Sequence, residues 1–215
     1  MENMNNAKKL ENGKLKDILR KINTDSQTQA IYDSRLNRIM NFLGKTTGFK
    51  ITAIKESGSR GKQTDVRKSD VDIIFCTGRN QDKNIILKNL LMRAKKGFKK
   101  NTKVHKTNKA VHIDFLKPKC NIDIVYLTNQ EFKQEKMKIA QIKKFRPLHK
   151  NAIKLVKYAL SRAKQKNIAS HEVELACLTF NYNSLADCVY HLVTYFSGRL
   201  KQNRSSVDRV LNFLL

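Results

Sequence analysis

Apolar positions recur at helical spacing over the first forty or so residues. Leu15, Ile18, Leu19 and Ile22 share one face of a helix predicted over 10–22. Ile31, Leu36, Ile39, Met40 and Leu43 share one face of a second, over about 28–43, with Gly44 where a C-cap belongs. Phe49, Ile51 and Ile54 then predict a strand, and Val71, Ile73, Ile74 and Phe75 another that carries two acids. Leu87, Leu90, Leu91 and Ala94 make a helix. Residues 111–116 and 121–126 read as two short strands joined by Lys117-Pro118-Lys119, a hairpin. From about Lys143 the pattern is wholly helical. Leu148, Ala152, Leu155, Val156, Ala159, Leu160 and Ala163 form one face behind Pro147, Ser170 stands as the N-cap of a further helix, and Leu185–Leu200 reads as another. The expected fold class is α/β in the α+β sense: a mixed body over residues 1–145, then a short helical lobe over 146–215. Residues 1–9 are expected to fray.

Composition narrows what such a body does. The 215 residues carry 44 Lys plus Arg against 18 Asp plus Glu, a formal charge of +26. Self-repulsion of that size is costly and favours a polyanionic partner, nucleic acid before an anionic membrane surface. An enzyme for small neutral metabolites has no need of it. No run of residues is apolar enough to span a membrane, and the polar N-terminus lacks the apolar core of a secretory signal, so an intracellular location, cytoplasmic or nuclear, is expected. Cys76, Cys120, Cys177 and Cys188 stand too far apart for a zinc ribbon and read as buried fillers. The five histidines show no metal-ligand spacing and read as surface or cap residues.

The acids are few, which makes their placement informative. Asp70 and Asp72 stand at i and i+2 of an apolar strand, so they point to the same face and repel each other. Hard oxygen ligands in that arrangement suit Mg²⁺. Asp123 lies in a neighbouring predicted strand between apolar residues, and Asp114 lies in another. Three carboxylates from adjacent strands can hold two Mg²⁺ or Mn²⁺ ions, which activate an attacking hydroxyl and stabilise a departing pyrophosphate. Gly58 and Ser59 precede the acidic strand in a small-residue segment where backbone N–H groups can approach a triphosphate. Basic residues are densest from Arg93 to Lys109, and Lys95, Lys96, Lys99, Lys100 and Lys103 are the candidate RNA contacts.

Gly58-Ser59, a ten-residue spacer, Asp70-Val71-Asp72 and a later strand acid together resemble the DNA polymerase β-like nucleotidyltransferase superfamily. Gly61, Lys62, Thr64 and Arg67 before Ser69-Asp70 are similar to the oligoadenylate synthase and cyclic GMP-AMP synthase-like branch, and the spacer length to poly(A) polymerases. Leu155-Val156-Lys157-Tyr158 and Ser170-His171-Glu172-Val173-Glu174-Leu175 resemble that branch's two helical motifs, with His171 where the branch has an aromatic residue. The resemblance implies a nucleotidyltransferase fold whose catalytic domain is the 1–145 body. It implies Asp70, Asp72 and Asp123 as metal ligands and catalytic acids, with Asp123 preferred to Asp114. Gly58, Ser59, Lys157 and Ser170 are implied as nucleotide contacts.

The expected activity is template-independent transfer of a nucleoside monophosphate from a nucleoside triphosphate, ATP favoured, to a hydroxyl acceptor. RNA association follows from the charge: 3′-end extension such as polyadenylation, or RNA-activated oligonucleotide synthesis. The alternatives are a catalytically inactive RNA-binding module on the same fold, and a small nucleotidyltransferase that modifies a protein or small molecule. The apolar end, Leu211-Asn212-Phe213-Leu214-Leu215, adds the expectation of a homodimer completed through that tail.

Overall fold

A computed structural model describes residues 11–46, 49–66, 69–165, 167–179, 182–198 and 204–215. The expected frayed N-terminus and Arg67 lie outside these residues. The chain divides into two compact units, one of residues 24–63 and 67–143, the other of residues 1–23, 64–66 and 144–215.

The first unit is built on five strands: β1 (Ile51–Ser57), β2 (Val71–Thr77), β3 (Thr102–Lys106), β4 (Val111–Leu116) and β5 (Lys119–Tyr126). Their order is β1-β2-β5-β4-β3. The β2–β5 pair is parallel and the other pairs are antiparallel. Strand periodicity sends Val71, Ile73, Phe75, Val111, Ile113, Phe115, Ile122 and Ile124 to one face, where helices α2 (Ser26–Thr46) and α4 (Lys83–Gly97) cover them. Tyr32, Ile39 and Leu43 come from α2, and Ile86, Leu87, Leu90 and Ala94 from α4. On the opposite face, helix α5 (Asn129–Lys143) packs Phe132 and Ile139 on Ile74 and Cys76. That apolar cover involves the half of β2 beyond Asp72, so the row of acids on this face has no hydrophobic lid from α5. A single helical turn, α3 (Gly58–Gly61), joins β1 to the chain that leads to β2.

The second unit is helical: α1 (Asn12–Ile22), α6 (Pro147–Arg162), α7 (Ser170–Ala176) with a 3₁₀ turn at Cys177–Thr179, α8 (Leu185–Tyr195) and α9 (Arg204–Asn212). Leu15, Leu19 and Ile22 of α1 join Ala152, Val156 and Leu192 in one core, so the N-terminal helix packs here and not with the sheet that follows it in sequence. Leu211 and Leu214 are buried in the same core. The apolar tail therefore contributes Leu211 and Leu214 to the core of its own unit, with Leu215 exposed.

Several sequence expectations shift. α2 runs through Gly44 to Thr46 instead of capping there. The predicted Gly-Ser loop closes into the α3 turn. Ser170 is the first helical residue of α7, with Ala169 at the N-cap and its N–H donated to Glu172 Oε2 at 2.7 Å. The helix from Leu185 ends at Tyr195. β3 and α5 were not anticipated, because Lys-rich sequence hides their periodicity. No helix among the described residues is long and apolar enough to cross a membrane.

Candidate active site

The strand registers align one residue from each strand. Ser57 faces Asp72, Asp72 faces Asp123, Asp123 faces His112 and His112 faces His105, so a single polar row crosses the whole sheet. Neighbouring strands lie about 4.8 Å apart, which sets Asp72 and Asp123 side by side on one face. Asp70 stands two residues before Asp72 on that face, and Asn121 Nδ2 donates to its Oδ1 at 3.1 Å. Asp114 pairs in register with Asn121 and Lys103, one strand further from Asp72 than Asp123 is. Asp123 is thus the strand acid directly opposite Asp72.

The electrostatics follow from that crowding. Burial first, and then the charges of Asp123 and Asp70, raise the Asp72 carboxyl to about 6, with the Lys62 ammonium partly offsetting them. Burial likewise raises the Asp70 carboxyl, against the Asn121 hydrogen bond and with the charges of Asp123 and Asp114. Perturbed carboxyls of this kind concentrate at functional sites.

The turn beside Asp72 is shaped to it. Gly58 has φ +60°, and a Cβ there would lie 1.7 Å from Asp72 Oδ2 and 2.6 Å from its Cγ. Glycine alone lets the backbone approach the carboxylate so closely. Gly61 is equally closed, since its Cβ would lie 2.6 Å from the Glu56 carbonyl oxygen. Arg60 anchors the turn from below. Its guanidinium is buried, donates to Glu56 Oε1 at 2.6 Å and Gln29 Oε1 at 3.0 Å, and pairs with Asp33. Lys62 pairs with Glu135 Oε1 at 3.3 Å, and Ser57 Oγ donates to the same oxygen at 3.1 Å. Ser59 lies within the α3 turn, half-buried. Sequence reasoning had no role for Arg60, Glu135 or His112. Only the turn geometry and the strand register bring them in.

Lys157 and Ser170 belong to the helical unit. Both line one pocket of about 180 Å³ with Ser161 and Gln165. Lys157 is buried, donates to Glu174 Oε1 at 2.5 Å and to Thr64 Oγ1 at 3.1 Å, and Thr64 donates to the same Glu174 oxygen at 2.7 Å. The lysine charge is therefore matched by Glu174 within its own unit. Lys95, Lys96, Lys99, Lys100 and Lys103 are all exposed, from the end of α4 to β3, and Lys103 shares the sheet face that carries the acids. All four cysteines are buried.

Among the described residues, no group of three or more His, Cys, Asp or Glu is closed into a metal cage. Mg²⁺ does not need one, since it binds through one or two carboxylates, waters and substrate phosphates. Asp70, Asp72 and Asp123 offer hard oxygens, with Asp72 and Asp123 side by side in register. The residues fit the ion.

No protein-family model matches the sequence, and a search of curated proteins finds no match. The fold does match solved structures. Escherichia coli MS115-1 CdnC with ATP superposes with a TM-score of 0.67 at 17% identity, over 95% of this chain and 89% of that chain. The Elizabethkingia meningoseptica CdnE cyclic dinucleotide synthase with GTP and Apcpp gives 0.59 at 14% identity, over 85% and 89%. The Cid1 poly(U) polymerase bound to Mg 3′-dATP gives 0.66 at 11% identity, over 89% and 74%. A mixed five-stranded sheet flanked by helices is what this chain shares with these structures: it has the nucleotidyltransferase fold.

Proposed function

We propose that this chain is a metal-dependent, template-independent nucleotidyltransferase that moves a nucleoside monophosphate from a nucleoside triphosphate, ATP favoured, to a hydroxyl of an RNA-associated acceptor. The observation that carries the reading is Asp72, lodged against Gly58 on one side and set opposite Asp123 on the other, with its carboxyl raised to about 6. Two Mg²⁺ or Mn²⁺ ions held by Asp70, Asp72 and Asp123 would supply Lewis acidity at the transferring phosphoryl group and at the hydroxyl that attacks it. The chain's own residues orient the reactants. Gly58 and Ser59 cradle the triphosphate with backbone N–H groups and a hydroxyl. Asp123 takes the proton of the acceptor hydroxyl as its oxygen bonds to the α-phosphorus and the α–β phosphoanhydride bond breaks, releasing pyrophosphate. Lys157 and Ser170 are further nucleotide contacts by resemblance, and the pocket they share supports that assignment.

The charge of +26 and the exposed lysines Lys95, Lys96, Lys99, Lys100 and Lys103 support RNA as the polyanion. Phosphate contacts release counterions, so affinity falls steeply with salt. Changing these five lysines to glutamine is expected to weaken RNA binding at low salt by at least about tenfold and to flatten its salt dependence. Filter binding across ionic strengths checks this, and a flat dependence for the unaltered protein removes RNA from the account.

The product decides the acceptor. The protein is incubated with each labelled nucleoside triphosphate and Mg²⁺ or Mn²⁺, with and without RNA, and the products are resolved. Extended RNA or a short oligonucleotide made in the presence of RNA is expected. Labelled protein or a labelled small molecule would point to the third function class, and RNA binding without any incorporation to an inactive module.

A further inference from the structure

The polar row continues past the acids into a histidine that sequence reasoning placed at the surface. His112 Nδ1 lies 2.6 Å from Asp123 Oδ1, across the β4–β5 register. The far side of the ring is held as well. Thr107 Oγ1 lies 3.1 Å from His112 Nε2 and already accepts from the Ala110 and Lys109 amides at 3.2 and 3.3 Å. The Thr107 proton therefore goes to Nε2, which leaves Nδ1 as the protonated nitrogen that donates to Asp123. The β3–β4 turn that holds Thr107 is closed by a Thr107 N–H bond to the Ala110 carbonyl at 2.9 Å. His105 stacks on the outer ring face, with centroids 4.7 Å apart and planes 14° apart.

A carboxylate whose partner is fixed in place, tautomer and tilt by a second hydrogen bond and by a stacked ring is oriented in advance of its ligand. We infer that His112 is a positioning residue for Asp123, with Thr107 and the His105 ring holding His112 in turn. The bond occupies Oδ1 and fixes the carboxylate plane, so that Oδ2 serves the metal ion and the acceptor hydroxyl. The inference rests on the proposed function, because it needs Asp123 to be a metal-facing acid. Partners that orient ligating carboxylates typically contribute 10- to 100-fold to metal affinity or activity.

The test is binding, not turnover. Mn²⁺ is titrated calorimetrically into the protein with a non-hydrolysable ATP analogue, alongside thermal melting of each variant. His112→Phe keeps the ring volume and loses the donor, and is expected to bind at least about tenfold more weakly. His112→Asn places an amide N–H where Nδ1 stood and is expected to recover most of that loss. Thr107→Val removes the hydroxyl that orients the ring, along with the two amide bonds it accepts in the turn, but leaves the imidazole donor in place; it is expected to cost about three- to tenfold, which keeps the test open should His112→Phe fold poorly. Equal binding by the unaltered protein, His112→Phe and Thr107→Val overturns the inference, as does an asparagine variant as weak as the phenylalanine one. No metal–nucleotide binding by the unaltered protein overturns the proposed function and this inference with it.

Discussion

Gly58→Ala is expected to lower nucleotide transfer by about a hundredfold or more in a protein that still folds. A methyl group there would sit 1.7 Å from Asp72 Oδ2, 2.6 Å from Cγ and 3.0 Å from Cβ. Such overlap forces the carboxylate off the turn, and a displacement of about 1 Å at a reacting centre costs about 10²-fold. The left-handed φ of +60° adds backbone strain for any residue with a side chain. Gly44→Ala is the matched control. It sits inside α2 with nothing within 4 Å of its would-be methyl, and is expected to stabilise by about 0.5–1 kcal/mol with activity retained. Steady-state kinetics and circular dichroism on both variants check the pair. Transfer by Gly58→Ala within a few-fold of the unaltered protein would mean that the turn does not set Asp72.

Asp72→Asn is expected to abolish transfer and, in metal-free buffer, to raise the thermal midpoint. Its carboxyl moves from 3.8 to about 6 on folding, chiefly through burial and then through repulsion from Asp123 and Asp70. A raised carboxyl makes the folded state bind its proton more tightly than the unfolded state does. Its contribution is therefore present below about pH 4, is lost as pH rises to about 6, and stays lost above that. The loss amounts to about 1–3 kcal/mol at neutral pH. Asparagine carries no charge to bury, so the variant gains most at pH 7 to 8 and little near pH 4, with a midpoint several degrees higher at neutral pH. Divalent metal should raise the midpoint of the unaltered protein and leave that of Asp72→Asn unmoved. A variant less stable than the parent at pH 7 would mean that the acidic row is not electrostatically strained.

Much of this arrangement is legible in the chain. An apolar run broken at i and i+2 by Asp70 and Asp72 has one reading as a strand, because only that period puts both acids on one face. The helical faces of α1 and α6 are equally plain. What stayed hidden is instructive. Thr102–Lys106 alternates correctly, but Lys103 and His105 hold its exposed positions within a lysine-rich stretch that masks the strand. α5 is hidden by the same excess of charge. His112 was missed through register. A three-residue turn at Lys117-Pro118-Lys119 would set Ile113 opposite Asp123, whereas β4 and β5 pair Leu116 with Lys119, and that slip of one residue brings His112 to the acid instead. Lys157 stood out only through the resemblance of its helical motif, as a nucleotide contact. Its partner Glu174, seventeen residues on, became visible only when α6 and α7 packed together. Local pattern exposes which residues are chemically unusual, and long-range pairing determines what they meet.

On the proposed function, Asp72, set between Gly58 and Asp123, is the centre of a metal-dependent nucleotidyl transfer site. Pyrophosphate release from each nucleoside triphosphate, measured with Mg²⁺ or Mn²⁺ and RNA for the unaltered protein and Asp72→Asn side by side, tests it most directly. Metal-dependent release is expected from the first and at least about a thousandfold less from the second, with the fold retained. Equal release by both, or none by the unaltered protein with any of the four nucleotides, would contradict it.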